Sequence, residues 1–417
     1  MQVVLFEDRH VHRLMPLVGL KPVYGLTVGF STLREKFEWH LPGIELSFHI
    51  RRALAPLYRE LCPDAPVNRA DDDDLLLVNG RIVCDSAVGE LITGIAPESG
   101  TALVQDGELL FARIPASRVL GPDGLFEDCI DGERLKADLR CTAVEGFRLL
   151  SFLWDAVALH TEELMREASS LPLGRIEGTV HHSAVIVNPS NVFVAPGAVV
   201  RAGAVIDGEE GFVAIGEGAV VEPLAVVMQN VYAGPSCRVK AGARVYSNVS
   251  IGRGSKIGGE VEDCIIEAYA NKQHDGFLGH SYLSHWCNLG AGTNSSDLKN
   301  NYSPVRILQG DRQYETGLQF LGLLMGEHSR SAINTAFNTG TVTGIAANVF
   351  GAGFPPKEIP SFVWGGADGF EPYGIDRAVE TARKVMARRG VAMSAAYESL
   401  FRFVADTPEV RGGSVSE

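Results

Sequence analysis

The chain lacks any Cys-x-x-Cys pair, and its seven cysteines are scattered and odd in number. That spacing excludes a zinc ribbon, argues against a disulfide frame, and points to reduced thiols. No apolar run approaches the ~20 residues of a membrane-spanning helix. The opening MQVVLFEDRH meets acidic residues too early for a secretory leader. A cytoplasmic location and no membrane partner are therefore expected. Positive charge is also short, with 37 Lys+Arg against 51 Asp+Glu and a net charge of −14. That balance excludes nucleic acid as the main partner, although a local basic pocket for a small anion remains open. Glycine, too, is missing after the first apolar run: none occurs before Gly19.

What the sequence does have is a period of six. Ile215, Val221, Val227, Ala233, Val239, Val245, Ile251 and Ile257 follow one another at six-residue steps. Four residues after each of the first seven stands another small residue: Ala219, Ala225, Val231, Cys237, Ala243, Val249 and Ser255. A helix repeats every 3.6 residues and a strand every 2, so neither produces this series. Short strands joined by tight corners in a left-handed parallel β-helix do, because one compact side chain per strand enters a narrow interior. An earlier block (Val194, Val200, Ile206) has the same phase within itself. The nine-residue step to Ile215 predicts a three-residue insertion at a corner.

The organisation expected is an α/β domain over 1–150, a linker helix within 151–180, the β-helix over 181–370, and a helical tail over 371–417. MQVVLF and LLLVNGRIV have the composition of buried strands, and residues 50–61 have helical spacing. The acidic run Asp71–Asp74 is expected to be a solvated loop. The period blurs after Ile257, where longer loops interrupt the coils, and the final RGGSVSE is expected to be disordered.

The densest polar stretch runs from Ala270 to Arg306 and holds three of the eleven histidines. Within it, Asn288-Leu289-Gly290-Ala291-Gly292-Thr293 groups small residues that would let a ligand approach the backbone. A histidine here can serve as a base near neutral pH, or it can simply cap a loop. His280 and His285 have an H-x4-H spacing that is similar to the zinc-binding γ-class carbonic anhydrases. The other reading is of polar residues lining a loop, and no metal ligand is assigned. Asn338–Gly344 has the small residues of another coil, which could line a ligand groove.

Residues 186–365 resemble the acetyltransferase half of the bifunctional N-acetylglucosamine-1-phosphate uridyltransferase / glucosamine-1-phosphate N-acetyltransferase family, in particular a divergent bacterial branch described as sugar nucleotidyltransferases. The family stretch K-A-G-H-L-T-Y-L-G-D followed by N-I-G-A-G-T is matched by Asn271-Lys272-Gln273-His274-Asp275-Gly276-Phe277-Leu278-Gly279-His280 followed by NLGAGT, at the same spacing. The resemblance implies acetyl transfer from acetyl-CoA to the amine of a sugar or sugar phosphate in cell-envelope precursor synthesis. It implies His274 as catalytic base, Asn288 as the active-site asparagine, Arg244 as a sugar-phosphate ligand, and Asn301-Tyr302 as the family's later Asn-Tyr pair. Two positions depart from it: Phe277 replaces a substrate-binding tyrosine, and Glu262 replaces a phosphate-binding lysine. Arg306 could compensate as a phosphate ligand. Unpaired coil faces predict a homotrimer.

The resemblance makes the N-terminal domain nucleotidyltransferase-like, and here the missing glycine matters. The family's G-x-G-T-R-M loop is absent, since the first strand runs into Glu7-Asp8-Arg9-His10. Leu14-Met15-Pro16-Leu17 and Lys21-Pro22-Val23 resemble the downstream elements. Asn79 stands where a metal-binding aspartate is expected, and an amide is a poor Mg²⁺ ligand. Two readings follow. The domain keeps the fold without the transfer reaction, as a sugar-nucleotide-binding or scaffolding module. Alternatively Arg9, Arg13, Lys21 and Arg34 bind phosphate in a rearranged site, with Mg²⁺ if that site is active.

Overall fold

A computed structural model describes residues 1–94 and 97–407; the RGGSVSE end lies outside the described residues. The chain divides into two compact units. One comprises Met1–Leu26, Ser31–Leu153 and Ala395–Phe403; the other comprises Thr27–Phe30, Trp154–Ser394 and the residues from Val404 on.

The first unit is built on a six-stranded mixed sheet in the order Leu46–His49, Gln2–Phe6, Asp74–Asn79, Glu108–Pro115, Thr101–Gln105, Arg140–Ala143. The first three strands are parallel and the long Glu108–Pro115 strand runs against its neighbours. Val4, Phe6, Leu75, Leu77, Ala112 and Ile114 form the core on one side of it. Burial of both faces explains why MQVVLF and LLLV are continuous apolar runs. The helix expected over 50–61 is confined to Ala55–Leu61, with Pro56 in its first turn. Arg51 is held out of that helix because its backbone and guanidinium both bind buried Glu7.

The second unit is a three-sided parallel β-solenoid of about ten turns. Its faces are numbered here in chain order from Thr179–Val180, Val185–Val187 and Val192–Val194. The third face is a continuous nine-stranded parallel sheet. All eight members of the six-residue series point inward and are buried, as are the seven small residues between them. The side chains of three faces meet along one axis, so each position tolerates only a compact group. Val213 pairs with Val231 and Val231 with Val249, giving the 18-residue coil of three six-residue edges. Val194 pairs with Ile215, a 21-residue step that realises the expected corner insertion.

The blurring after Ile257 has two causes. Ile257 pairs with Lys272, so that coil is shortened to 15 residues. Leu283 then pairs with Met325, a 42-residue step whose excess forms an excursion after Asn294–Ser295, including the hairpin Arg306–Gln309/Arg312–Glu315. The linker helix expected within 151–180 is divided into Asp155–Ala158 and His160–Glu167, interrupted at Leu159. Helices Ile375–Ala387 and Ala395–Asp406 complete the described chain.

Candidate functional site

His274 lies on the corner between the first and second faces, between the strands Asn271–Lys272 and Phe277–Gly279. Its residue is exposed, and its ring makes no hydrogen bond, ion pair or ring contact among the described residues. The backbone beneath it is clamped. Lys272 points into the solenoid interior, and its Nζ donates to the carbonyls of His274 (2.8 Å) and Gly258 (2.9 Å). Burial lowers the Lys272 pKa to about 8. On the other side Gly292 N–H donates to the Asp275 carbonyl at 3.0 Å.

Gly276 has φ +123°, and a Cβ there would lie 2.1 Å from the Thr293 carbonyl oxygen. The NLGAGT glycines serve the same stacking. A Cβ on Gly290 would lie 2.4 Å from the Ala332 backbone, and one on Gly292 would lie 2.2 Å from Asn334 Oδ1. The close approach expected for a ligand at these glycines is therefore taken by the next coil. Asn338–Gly344 is likewise covered: Thr341 and Thr343 are buried, and a Cβ on Gly340 would meet Val305 and the Arg306 carbonyl.

Asn288 sits on the first face, bridged to Asn271 on one side and Arg330 on the other. Its amide group makes no hydrogen bond among the described residues. Arg330 is half-buried, its guanidinium makes no hydrogen bond or ion pair among the described residues, and desolvation lowers its pKa. Arg244 and Phe277 lie on the second face in one column, separated by Glu260. Arg244 is exposed and paired with Glu260 Oε1 at 2.6 Å, so a phosphate there has to compete with that carboxylate.

Glu262 stands in the neighbouring column, above Gly279. Burial raises its pKa, and Asp263 and Asp297 raise it further. Asp297 holds His280 Nδ1 at 2.8 Å, while Asp263 Oδ2 is 3.7 Å from His280 Nε2. Asp263 and Asp297 were invisible as His280 partners in the sequence because the corner and the excursion bring them together only in space. His285 lies beyond the other end of the strand Tyr282–Leu283, where its Nε2 is 3.6 Å from buried Glu267. The two imidazoles of the H-x4-H spacing thus serve different corners and do not converge within the chain.

Asn301, Tyr302 and Arg306 belong to the excursion, which leaves between the second and third faces. Asn301 Oδ1 accepts from the Ser303 backbone and hydroxyl. Tyr302 is 65% exposed at φ +56°. Arg306 pairs with Glu315 across the hairpin at 2.6 Å. One chain therefore presents the expected residues on separate sides: Asn288 on the first face, His274 at its corner, Arg244 and Phe277 on the second face, and the Asn-Tyr pair beyond it.

In the first unit a 3-10 turn, Arg9–Leu14, stands where a glycine loop was missed, capped by Asp8 accepting from His10 N–H. Asn79 at the end of its strand donates to Asp8 Oδ2 (2.9 Å) and the Leu109 carbonyl (2.9 Å). Arg81 is fully buried and reaches Asp8 (2.5 Å) and Glu108 (2.7 Å). Burial would raise the Glu108 pKa, but hydrogen bonds with His10 and Arg81 prevail and hold it at about 2.

Asp8, His10 and Glu108 could offer a cation three ligand atoms, all within 4.8 Å of one another. The Arg81 guanidinium is already paired with both carboxylates and one of the three groups is an imidazole, so the arrangement does not fit Mg²⁺, which demands an octahedron of oxygens. Arg9 is 3.8 Å from Glu133, and Arg13 is 3.7 Å from Glu108. Arg34 is bound to Glu38 and Cys62, and Lys21 is buried. No helix among the described residues is long and apolar enough to cross a membrane.

A family model described as sugar nucleotidyl transferase matches residues 3–176. No curated protein matches the chain. Among solved structures, the UDP-N-acetylglucosamine acyltransferase of Francisella novicida is 18% identical, with 52% of this chain and 74% of that one covered and a TM-score of 0.24. The N-acyltransferase AntD of Bacillus cereus, solved with dTDP-4-amino-4,6-dideoxyglucose and coenzyme A, is 11% identical, with 50% and 87% covered and a TM-score of 0.23. The UDP-N-acetylglucosamine acyltransferase of Campylobacter jejuni is 16% identical, with 57% and 100% covered and a TM-score of 0.23.

Proposed function

We propose that the solenoid transfers an acyl group, acetyl in the simplest case, from a coenzyme A thioester to the amine of a sugar or sugar phosphate. The observation that supports this is an exposed imidazole with no structural task, His274, on a corner clamped by Lys272 and Gly292. A loop-capping histidine would spend its ring nitrogens on the loop, and this one does not. A base on a rigid support is what general-base catalysis needs. The amine attacks the thioester carbonyl, His274 takes the amine proton, and the coenzyme thiolate leaves and is protonated. Asn288 positions the acceptor or donates to the developing oxyanion. Arg244, with Arg306, binds a phosphate where the acceptor carries one, and Phe277, Asn301 and Tyr302 contact the sugar. The reading includes a cytoplasmic homotrimer.

The test is release of free coenzyme thiol from acetyl-CoA across a panel of amino sugars and their phosphates. His274→Ala is expected to lower kcat about 100-fold or more with an unchanged thermal melt. Full activity in that variant removes the base assignment. No heat on titrating the wild type with any acyl-CoA removes the function.

A second reading concerns the first unit and rests on the match of residues 3–176. We infer a module that binds a sugar nucleotide without transferring a nucleotidyl group, because Arg81 occupies the space between Asp8 and Glu108. Binding of a UDP-sugar with no pyrophosphate release from UTP, sugar 1-phosphate and Mg²⁺ is the expected outcome. Pyrophosphate release overturns it.

A further inference from the structure

The outward column of the first face becomes basic where the helix Ile375–Ala387 ends. Arg238 pairs in register with Lys256, and Lys256 with Asn271. Lys240 follows two residues after Arg238. At the helix end Arg389 donates to the Gly254 carbonyl (3.2 Å) and to Asn271 Oδ1 (2.6 Å), which seats Arg388 and Arg389 beside Lys256. The charges that act most strongly on Lys256 are the cations Arg389, Arg238, Lys240 and Arg388. With burial as the larger cause, they lower its pKa.

Glu222 accepts from Arg238 (3.0 Å) and Lys240 (2.8 Å). The other cations of the group pair with no carboxylate among the described residues. Lys256 and Arg388 make no side-chain hydrogen bond or ion pair among the described residues. Gathering like charges costs free energy unless something of opposite sign lies among them.

We propose that Arg238, Lys256, Arg388 and Arg389 form a phosphate-binding site that takes the phosphate or diphosphate of a small phosphorylated ligand. The cations come from the solenoid wall and from the helix end, and guanidinium groups match the geometry and the multiple charge of phosphate. The net negative charge of the chain disfavours a polyanion, so the ligand is a small molecule. This also assigns a task to the helix Ile375–Ala387, whose end leads into two of the four cations. The inference stands apart from acyl transfer, because it needs only the binding of an anion.

The test titrates inorganic pyrophosphate into the full chain and into the double variant Lys256→Gln/Arg388→Gln by calorimetry. The wild type is expected to bind, more weakly as salt is added, with at least ~10-fold loss in the variant. The thermal melt should not fall, because neither side chain is paired. Parallel titrations with coenzyme A, 3′-dephospho-coenzyme A and a UDP-sugar separate the two sources. A variant loss confined to the coenzyme pair assigns the site to coenzyme phosphates, and one confined to the UDP-sugar assigns it to a sugar nucleotide. Equal pyrophosphate affinity in wild type and variant, or no binding by the wild type at low salt, overturns the proposal.

Discussion

Lys272 occupies an interior position of the solenoid, between Ile257 and Leu289 in the inward column of the first face. An ammonium there has lost its water and gained two carbonyls, Gly258 and His274. No carboxylate bonds to it, so burial dominates and the pKa falls to about 8 from 10.5. The sign of the linkage follows. Between these two values the unfolded chain binds more protons than the folded one, so stability rises with pH across that window. Below pH 8 the full penalty of the buried charge is present; near pH 10.5 it is gone. Lys272→Met removes this term. The difference in melting temperature, wild type minus variant, should therefore grow by the equivalent of about 2–3 kcal/mol between pH 7.5 and 10.5. A difference that stays flat with pH means that the ammonium is not buried. The residue escaped the six-residue reading for a plain reason. The coil from Ile257 to Lys272 has 15 residues, so a count in sixes never lands on position 272. Composition alone also argues against a lysine inside a β-helix.

At the scale of the element, the coils were legible because each edge sends one compact side chain inward and repeats the demand every six residues. Val239, Val245, Ile251 and Ile257 satisfy it in sequence and in space. The corners were less legible. NLGAGT reads equally well as a ligand cradle or as a place where coils touch, and only the distances to Ala332 and Asn334 decide for contact. His274 could be found through the family resemblance, whereas its support could not, since Lys272 and Gly292 meet it from the coil itself and from the next coil. Gly276 measures how tight that corner is. Alanine there faces both φ +123° and a carbonyl oxygen 2.1 Å away. Gly242→Ala supplies the comparison, because Gly242 has φ +70° with nothing within 4 Å of the added carbon. Strain alone costs about 1–3 kcal/mol. Gly276→Ala should therefore lower the melting temperature of the second unit several degrees more than Gly242→Ala. Equal losses would mean that the coil shifts freely and the corner under His274 is not rigid.

For the whole molecule, the question is how residues on separate sides of one spiral can serve one reaction. His274 is at the corner of the first and second faces, whereas Arg306 belongs to an excursion that leaves between the second and third. No hydrogen bond or ion pair joins them among the described residues, and the sequence held no information on this because the inward period says nothing of what covers the outside. If a neighbouring copy supplies one of them, both can contact the same acceptor, which is what the proposed homotrimer would provide. Light scattering on the eluting protein measures the assembly directly. A sharper measurement mixes two variants, His274→Ala and Arg306→Gln, each carrying a different tag and each expected to turn over a phosphorylated acceptor poorly as a pure assembly. Copies co-expressed and purified through both tags should regain a substantial part of the acyl-transfer rate, since some sites then draw an intact His274 from one subunit and an intact Arg306 from another. Mixed assemblies that remain as slow as their parents would show that the two residues act within one chain or not in the same reaction. A monomer in solution would remove the shared site altogether.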